Sequence, residues 1–234
     1  MPNHVKNRIT LIGTPEEVKQ VFERYNTHYP ETFKTAHDGT IICKRKTDGV
    51  IGWYNETTQL IETREEGKTL RDLDLWERSI DPAWDHFPDF NKIKPQPPNI
   101  FRGDLSSEKE AELNEAGIPH WYGWNIENWG TKWNSYSCEC EAGNIFTFET
   151  AWSSVVELML MMSKQNPTVK IIYEWADEDF GYNCGRVELE NGKILNEFYP
   201  EGGSNEAYEL ALDIRPNYRE YFEKVDGEWE WKEE

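Results

Sequence analysis

The chain has 234 residues, of which 44 are acidic and 25 are basic, so its formal net charge is −19. This charge opposes broad, non-specific binding of nucleic acid, which relies on Lys and Arg to release counterions from phosphates. Because 14% of the residues are aromatic, we expect a folded protein whose core is built from few, large side chains.

The first predicted elements are a strand and a helix. Residues 3–12 alternate between apolar and polar side chains, which is the period of a strand. Thr14 and Glu17 then form a T-x-x-E capping box, with Pro15 in the first turn. The helix that follows has an apolar stripe at helical spacing, made of Val18, Val21, Phe22 and Tyr25.

Residues 31–85 predict a β-rich insertion. Its strands are expected at Thr40–Lys44, Val50–Tyr54 and Leu60–Arg64, which are separated by turn residues. After it, Asp89–Pro95 is interpreted as the second strand of the main domain, ended by prolines. A capping box of Ser107 and Glu110 starts a helix that runs to Gly117.

The second half of the chain predicts two hairpins, two helices and a further terminal hairpin. A hairpin of Tyr136–Cys140 and Ile145–Thr150 comes first, followed by a helix that is capped by Ser154 and Glu157 and ends at Asn166-Pro167. Next come a strand at Val169–Ala176 and a hairpin of Asn183–Glu190 and Lys193–Tyr199 around Asn191-Gly192. The last elements are a helix that is capped by Ser204 and stops before Pro216, and a hairpin around Asp226-Gly227.

This order of elements predicts an α+β fold. Without the insertion it is β-α-β followed by β-α-β, as in a ferredoxin-like sandwich, in which two helices cover one face of an antiparallel sheet. The predicted domain is formed by residues 1–30 and 86–190, with the insertion at 31–85. Residues 191–234 are predicted to be a C-terminal extension packed on the same domain.

The segment Trp121–Asn134 holds four of the eleven tryptophans. A buried Trp needs a partner for its indole N–H, so the segment is expected to be structured. One interpretation makes Trp129, Lys132, Trp133 and Trp152 the walls of a cleft that stacks a base or sugar. The other places Trp129 and Trp133, four residues apart, in the core.

Carboxylates follow the strand at Val169–Ala176. Asp177 and Asp179, with Glu149 and Lys132, would suit a cation such as Mg²⁺ and cleavage of a phosphoester. The simpler interpretation is an acidic turn that caps backbone N–H groups. The candidate cleft combines both groups of residues: Trp129, Lys132, Trp133, Glu149, Trp152, Asp177, Asp179 and Asn183.

Basic residues on the predicted sheet offer a third surface. Lys6 and Arg8 share one strand face, and Lys92 and Lys94 are expected on an adjoining strand. They would form a basic strip such as RNA-recognition modules use. Cross-strand ion pairs with Glu149 or Glu174 explain the same charges without a ligand, and we favour this ladder.

The cysteines and apolar runs indicate the compartment. Cys43, Cys138, Cys140 and Cys184 are scattered, so we expect reduced thiols in a cytoplasm. No apolar run approaches the length of a membrane span or a signal peptide. Neither a zinc site nor any cofactor is expected, because the histidines and cysteines lack ligand spacing.

Five phrases, taken in order, resemble one family. They are PNHVKNRITLIG, FPDFNKIKPQP, IENWGTKWN, FETAWS and ADEDFGYNCG, and together they resemble the YubB-like and Api-like ferredoxin-domain family of plasmid and phage proteins. The resemblance covers residues 3–28 and roughly 86–190, with part of the insertion, and leaves out the residues after 195. It implies a ferredoxin-like fold and residence on a mobile genetic element, but it implies no biochemical activity.

We therefore expect a non-enzymatic, cytoplasmic binding protein of a phage, prophage or plasmid. Its acidic surface would engage a basic protein of the host or of a mobile element, such as a defence nuclease whose nucleic-acid groove it would occupy. One alternative is a metal-dependent enzyme acting on nucleotides or nucleic acid through Asp177, Asp179 and Glu149. Another is a small-ligand sensor with a pocket walled by tryptophans.

Overall fold

The computed structural model describes residues 3–29, 32–36, 40–55, 57–63, 67–70, 73–81 and 84–232. The helices are α1 (Pro15–Tyr25), α2 (Phe90–Ile93), α3 (Ser107–Glu115), α4 (Trp121–Trp129), α5 (Val156–Gln165) and α6 (Asn205–Ile214), with short 3-10 turns at Leu73–Leu75 and Pro216–Tyr221. Among the helices of these described residues, none has both the length and the apolar character that a membrane crossing needs.

Seventeen strands complete the described elements. They are β1 (His4–Ile12), β2 (Thr27–Tyr29), β3 (Thr32–Phe33), β4 (Ile41–Arg45), β5 (Ile51–Asn55), β6 (Leu60–Thr63), β7 (Gly67–Leu70), β8 (Trp76–Arg78), β9 (Ile80–Asp81), β10 (Trp84–His86), β11 (Tyr136–Ala142), β12 (Ile145–Ala151), β13 (Lys170–Asp177), β14 (Cys184–Glu190), β15 (Lys193–Phe198), β16 (Phe222–Val225) and β17 (Glu228–Trp231). The chain divides into two compact units: Met1–Thr27 with His86–Glu234, and His28–Asp85.

The larger unit has a six-stranded antiparallel sheet in the order β11-β12-β1-β13-β14-β15. Four of these strands, β1, β11, β12 and β13, occur in the chain with the helices α1 and α5 in the order β1-α1-β11 and then β12-α5-β13. This is the order of a ferredoxin-like α+β sandwich. Residues of α1 and α5 share one core with β1 and β13, which places both helices on the same face. Strands β14 and β15 extend the sheet beyond β13.

The opposite face of this sheet is partly covered by α6. Along β13, Tyr173 and Trp175 point into the main core, while Ala176 belongs to a second cluster with Ala207 and Ala211 of α6. The alternation follows from the period of a strand, in which neighbouring side chains point to opposite faces. The C-terminal helix therefore packs on the sheet itself.

The predicted second strand is wrong. Asp89–Pro95 contains the short helix α2, and the second strand of the fold is β11. The carboxylate of Asp89 caps α2 by accepting a hydrogen bond from the Asn91 backbone N–H at 2.9 Å. Phe90 and Ile93 are both buried, which is the i, i+3 spacing of one helix face.

The capping boxes have mixed outcomes. The box at α1 is confirmed, because Thr14 and Glu17 exchange hydrogen bonds between side chain and backbone. At α3 the cap is Ser106 rather than Ser107. At α5 the predicted Ser154 cap is wrong: the N-cap is Val155, which makes no side-chain hydrogen bond.

A buried tyrosine holds the start of α5 in place of a capping side chain. The Tyr173 hydroxyl accepts a hydrogen bond from the Val155 N–H at 2.8 Å and donates one to Asn7 Oδ1 at 2.6 Å. Asn7 in turn donates from Nδ2 to Thr150 Oγ1 at 2.9 Å. All four groups are buried, so this network links α5 to three strands of the sheet.

The smaller unit, His28–Asp85, contains a five-stranded antiparallel sheet in the order β7-β6-β5-β4-β8. The three predicted strands are confirmed as β4, β5 and β6, while Arg64, the predicted end of the third, lies outside the described residues. A small core supports this sheet and consists of Ile41, Cys43, Tyr54, Ile61 and Trp76.

Candidate functional site

Chain segments that are far apart in sequence meet at one end of the six-stranded sheet. The antiparallel register puts His4, at the start of β1, opposite Ala151 at the end of β12, and Val5 opposite Asp177 at the end of β13. The Trp152 N–H donates to the Asn3 carbonyl at 2.9 Å, which ties the ends together. Most residues of the predicted candidate cleft therefore lie at this end of the sheet.

The Trp-rich segment is divided by a helix end. Helix α4 finishes at Trp129, and Gly130 adopts the left-handed conformation (φ 74°) that commonly terminates helices. Trp129 is buried in the main core, where its indole N–H donates to the Lys94 carbonyl at 2.9 Å. The structure thus places Trp129 in the core, apart from the exposed aromatic residues of the candidate cleft.

The loop after α4 is anchored by hydrogen bonds. Asn125 donates from Nδ2 to the Lys132 carbonyl at 2.8 Å. The Thr131 hydroxyl donates to the Ala151 carbonyl at 2.8 Å and accepts from its N–H at 3.1 Å. Because both residues are buried, the loop is held against the end of β12. Lys132 and Trp133 are consequently presented at a fixed position.

Lys132 lies among three aromatic rings. Its Nζ is 4.8 Å from the ring centroid of Trp133, 5.5 Å from that of Trp152 and 5.7 Å from that of Tyr122. Each distance is within the range of a cation–π interaction. Trp133 and Trp152 remain 37% and 39% exposed. We call Tyr122, Lys132, Trp133 and Trp152 the Lys132 cage.

Trp152 has an unusual backbone. Its φ is 71°, a left-handed conformation that costs roughly 1–2 kcal/mol for a residue with a Cβ. The Asn3 carbonyl accepts from its N–H, and Asn183 donates from Nδ2 to its carbonyl at 3.5 Å. Its side chain is 39% exposed and lies outside the main core, so packing in that core does not account for a tryptophan there. Such strain is found preferentially at functional sites.

Asp177 is buried and its two carboxylate oxygens are engaged. Oδ1 accepts from Asn3 Nδ2 at 3.2 Å and from the Asp179 N–H at 3.0 Å, and Oδ2 accepts from Asn183 Nδ2 at 2.6 Å. Asp179 itself is exposed. In the part of the chain that the structure describes, no group of three His, Cys, Asp or Glu side chains is arranged to hold a metal. This geometry is that of a closed acidic turn.

Tyr136 connects the cage to nearby carboxylates. Its ring contacts Trp133 edge-to-face, with centroids 6.0 Å apart, and its hydroxyl is 2.5 Å from His4 Nδ1. Burial raises the pKa of Tyr136, and the negative charges of Glu149 and Glu178 raise it further. Glu149 also lies directly opposite Tyr136 in the sheet. Glu178 accepts a hydrogen bond from the backbone N–H of His4, whose ring contacts Tyr136. These two carboxylates therefore border the cage beside Tyr136, where the positive charge of Arg215 also acts and lowers the pKa of the tyrosine.

The predicted basic strip does not form. Arg8 makes an ion pair with Glu174 at 2.9 Å and a second with Asp213, so the favoured ladder of cross-strand ion pairs is confirmed at this position. Lys92 lies in α2, and Lys94 immediately follows it, so the prediction that they lie on an adjoining strand is wrong.

Three residues of the site were not predicted: Tyr122, Tyr136 and His4. Tyr122 lies in the phrase WYGW, but no local pattern separates a tyrosine that faces a lysine from one that packs in the core. Tyr136 and His4 meet only because β11 and β1 are both neighbours of β12. Their contact depends on the strand order and has no local signal in the sequence.

Comparison with known families gives one result. Residues 129–215 match the family described as a ferredoxin-like domain in Api92-like protein. The matched span runs from the last residue of α4 through α6, and it contains Lys132, Trp133 and Trp152. It supports the resemblance to Api-like ferredoxin-domain proteins. Comparisons with curated proteins and with solved structures found no match.

The match also corrects the extent of the resemblance. The sequence phrases leave the residues after 195 outside the resemblance, yet the matched Api92-like domain continues to residue 215. The physical reason is that these residues belong to the same fold, since β15 pairs with β14 and α6 packs on the sheet.

Proposed function

We propose that this chain is a non-enzymatic binding protein, encoded by a phage, prophage or plasmid, that recognises a basic protein through the Lys132 cage and its acidic border. The observation that carries the proposal is the pair of exposed indoles, Trp133 and Trp152, held in fixed positions at the end of the sheet. Large aromatic residues at the centre of a protein interface contribute much of its binding energy.

The charge of the chain supports a basic partner. A net charge of −19 attracts positively charged surfaces over long range and accelerates their association. Glu149 and Glu178, which lie beside Tyr136 and His4 at the border of the cage, bring that charge to the proposed interface. Nucleic acid would be repelled by the same field.

A host nuclease of a defence system is the kind of partner that we propose. The groove of such a protein carries Lys and Arg side chains that bind phosphates. An acidic protein that enters the groove competes with nucleic acid for those side chains, and exposed tryptophans can stack on the guanidinium groups of Arg. This function requires the chain to reside with its target in the cytoplasm.

Two matched pairs of substitutions test this proposal. Glu149→Gln with Glu178→Gln removes two charges beside the cage, and Glu223→Gln with Glu230→Gln removes two from the exposed β16–β17 hairpin. We expect the wild type to bind a fluorescent Lys/Arg-rich peptide in an anisotropy titration. The first pair and Trp133→Ala with Trp152→Ala should each weaken binding by about tenfold, and the hairpin pair should change it much less.

Three controls complete this experiment. A peptide rich in Asp and Glu and a short single-stranded DNA should not bind, and circular dichroism should show that every variant folds. Equal loss from both pairs of glutamate substitutions would mean that only overall charge matters. Binding that needs the hairpin but not the cage would contradict the proposed site.

A further inference from the structure

We propose that the Lys132 cage is a binding site for a cationic side chain of the partner, and that Lys132 is a tethered occupant which the partner's Lys or Arg replaces. This inference rests on the proposed function and names the chemistry by which the basic partner is recognised. The three rings already contact the ammonium group of Lys132 in the structure, which indicates that a cation is the kind of ligand that suits them.

The interactions of the Lys132 ammonium are incomplete. Its Nζ lies within 5.7 Å of three ring centroids, but in the described part of the chain it forms no ion pair with a carboxylate. The cation–π contacts with the three rings are therefore the interactions that hold this ammonium group. Lys132 would give up no ion pair on leaving, and water would solvate its ammonium group.

A cation from a partner can form the ion pair with a carboxylate that Lys132 lacks. Glu149 lies opposite Tyr136 in the sheet, and Glu178 accepts a hydrogen bond from the backbone N–H of His4, whose ring contacts Tyr136. Because the Tyr136 ring contacts Trp133, these carboxylates lie at the border of the cage. A Lys or Arg that enters from solvent is free to contact both the rings and this border. Lys132 is tethered and has a high effective concentration, so its replacement requires a ligand that makes such additional contacts.

The backbone at Trp152 supports a role for the cage beyond stability. The strained φ of 71° is retained at an exposed tryptophan whose ring faces the ammonium. A smaller residue at that position would leave the core unchanged, because Trp152 is not part of it. The indole therefore serves the surface, where a face of an aromatic ring binds cations.

An anion bound by Lys132 is the competing possibility, with a phosphate as the simplest case. The carboxylates of Glu149 and Glu178 at the border of the cage and the net charge of −19 oppose it. The two possibilities predict opposite effects of removing the lysine. Loss of the tethered cation should strengthen binding of a cation, whereas it should weaken binding of a phosphate.

Lys132→Ala and Lys132→Arg form the test, with Lys132→Ala/Trp152→Ala as the cage-deficient control. The probes are tetramethylammonium chloride, a short peptide with one central Lys, the same peptide with norleucine in its place, and inorganic phosphate. Titrations are followed by NMR through the indole N–H signals of Trp133 and Trp152. We expect Lys132→Ala to bind both cationic probes at least about tenfold more tightly than the wild type or Lys132→Arg.

Each outcome decides the proposal. The norleucine peptide should not bind, and Trp152→Ala should abolish the gain. Tetramethylammonium binding without binding of the lysine peptide would overturn the partner's Lys or Arg as the occupant and would identify a small quaternary amine instead. The proposal that the cage binds a cation would be overturned if Lys132→Ala bound cations no more tightly than the wild type. It would also be overturned if the wild type bound phosphate and Lys132→Ala did not.

The proposed function can fail independently of the cage. If the Lys/Arg-rich peptide binds every Lys132 variant equally but not Trp133→Ala/Trp152→Ala, the cage mechanism is refuted and the binding surface stands. If that peptide binds no variant while tetramethylammonium binds Lys132→Ala, the cage is supported and the basic protein partner is refuted.

Discussion

Replacing Trp129 by Ala is expected to lower the free energy of unfolding by about 3–5 kcal/mol. The indole is 3% exposed and packs edge-to-face against Phe90 and Trp124, with centroids 5.8 and 5.5 Å away. Its N–H donates to the Lys94 carbonyl, which fixes the segment after α2. Truncation would leave a large cavity and a carbonyl without this donor.

Trp133→Ala is the matched control for this prediction. It removes the same side chain four residues later, but Trp133 is exposed and lies at the surface, so we expect a loss of about 1 kcal/mol or less. Urea unfolding of both variants gives the comparison, with an unchanged m value indicating the same unfolding reaction. Similar losses for the two variants would contradict the division of the Trp-rich segment into a core half and a surface half.

The second prediction concerns the buried network at the start of α5. Tyr173→Phe keeps the ring but removes the hydroxyl that accepts from the Val155 N–H and donates to Asn7 Oδ1. Each buried group that loses its partner costs about 1–3 kcal/mol, so we expect a total loss of roughly 2–4 kcal/mol. The measurement is hydrogen exchange of the β1 and β13 amides, which reports on the larger unit alone.

Tyr199→Phe controls for the loss of a hydroxyl group. Tyr199 is 54% exposed, and water can form hydrogen bonds with its hydroxyl group, so the free energy of unfolding should change by no more than about 0.5 kcal/mol. If Tyr173→Phe were equally harmless, the network would not be what holds α5 on the sheet.

Local signals in the sequence were sufficient for much of the fold. The T-x-x-E box defines the start of α1, and Asn191-Gly192 forms the turn between β14 and β15 with φ values of 47° and 71°. Both signals are local, because side-chain hydrogen bonds and backbone preferences act within a few residues. The alternation in residues 3–12 was equally informative, since β1 is central and buried on one face.

The sequence predicts Tyr136–Cys140 as a hairpin strand, and β11 confirms it, but the sequence does not show that this is the second strand of the fold. Strand β11 lies at the edge of the sheet, and most of its residues are exposed, so its apolar pattern is weak. The prolines at the end of Asp89–Pro95 favour a strand that stops there, although Phe90 and Ile93 have the spacing of one helix face. The edge position of β11 follows from the strand order, which a local pattern does not contain.

The candidate site was predicted only in part. Lys132, Trp133 and Trp152 were named together and do meet, but Trp129 lies in the core. The reason is Gly130, which ends α4, so that residues four apart no longer share a helix face. Whether a tryptophan is buried depends on what packs against it across the fold, and composition alone does not provide that information.

The most direct test of the proposed binding surface is the position of the bound peptide. The wild type, labelled at its indole N–H groups, is titrated with the Lys/Arg-rich peptide and followed by NMR. We predict that the signals of Trp133 and Trp152 move together with the bound fraction, while that of the buried Trp129 remains in place. Shifts confined to Trp229 and Trp231 of the C-terminal hairpin, or binding without any movement at Trp133 and Trp152, would contradict the account.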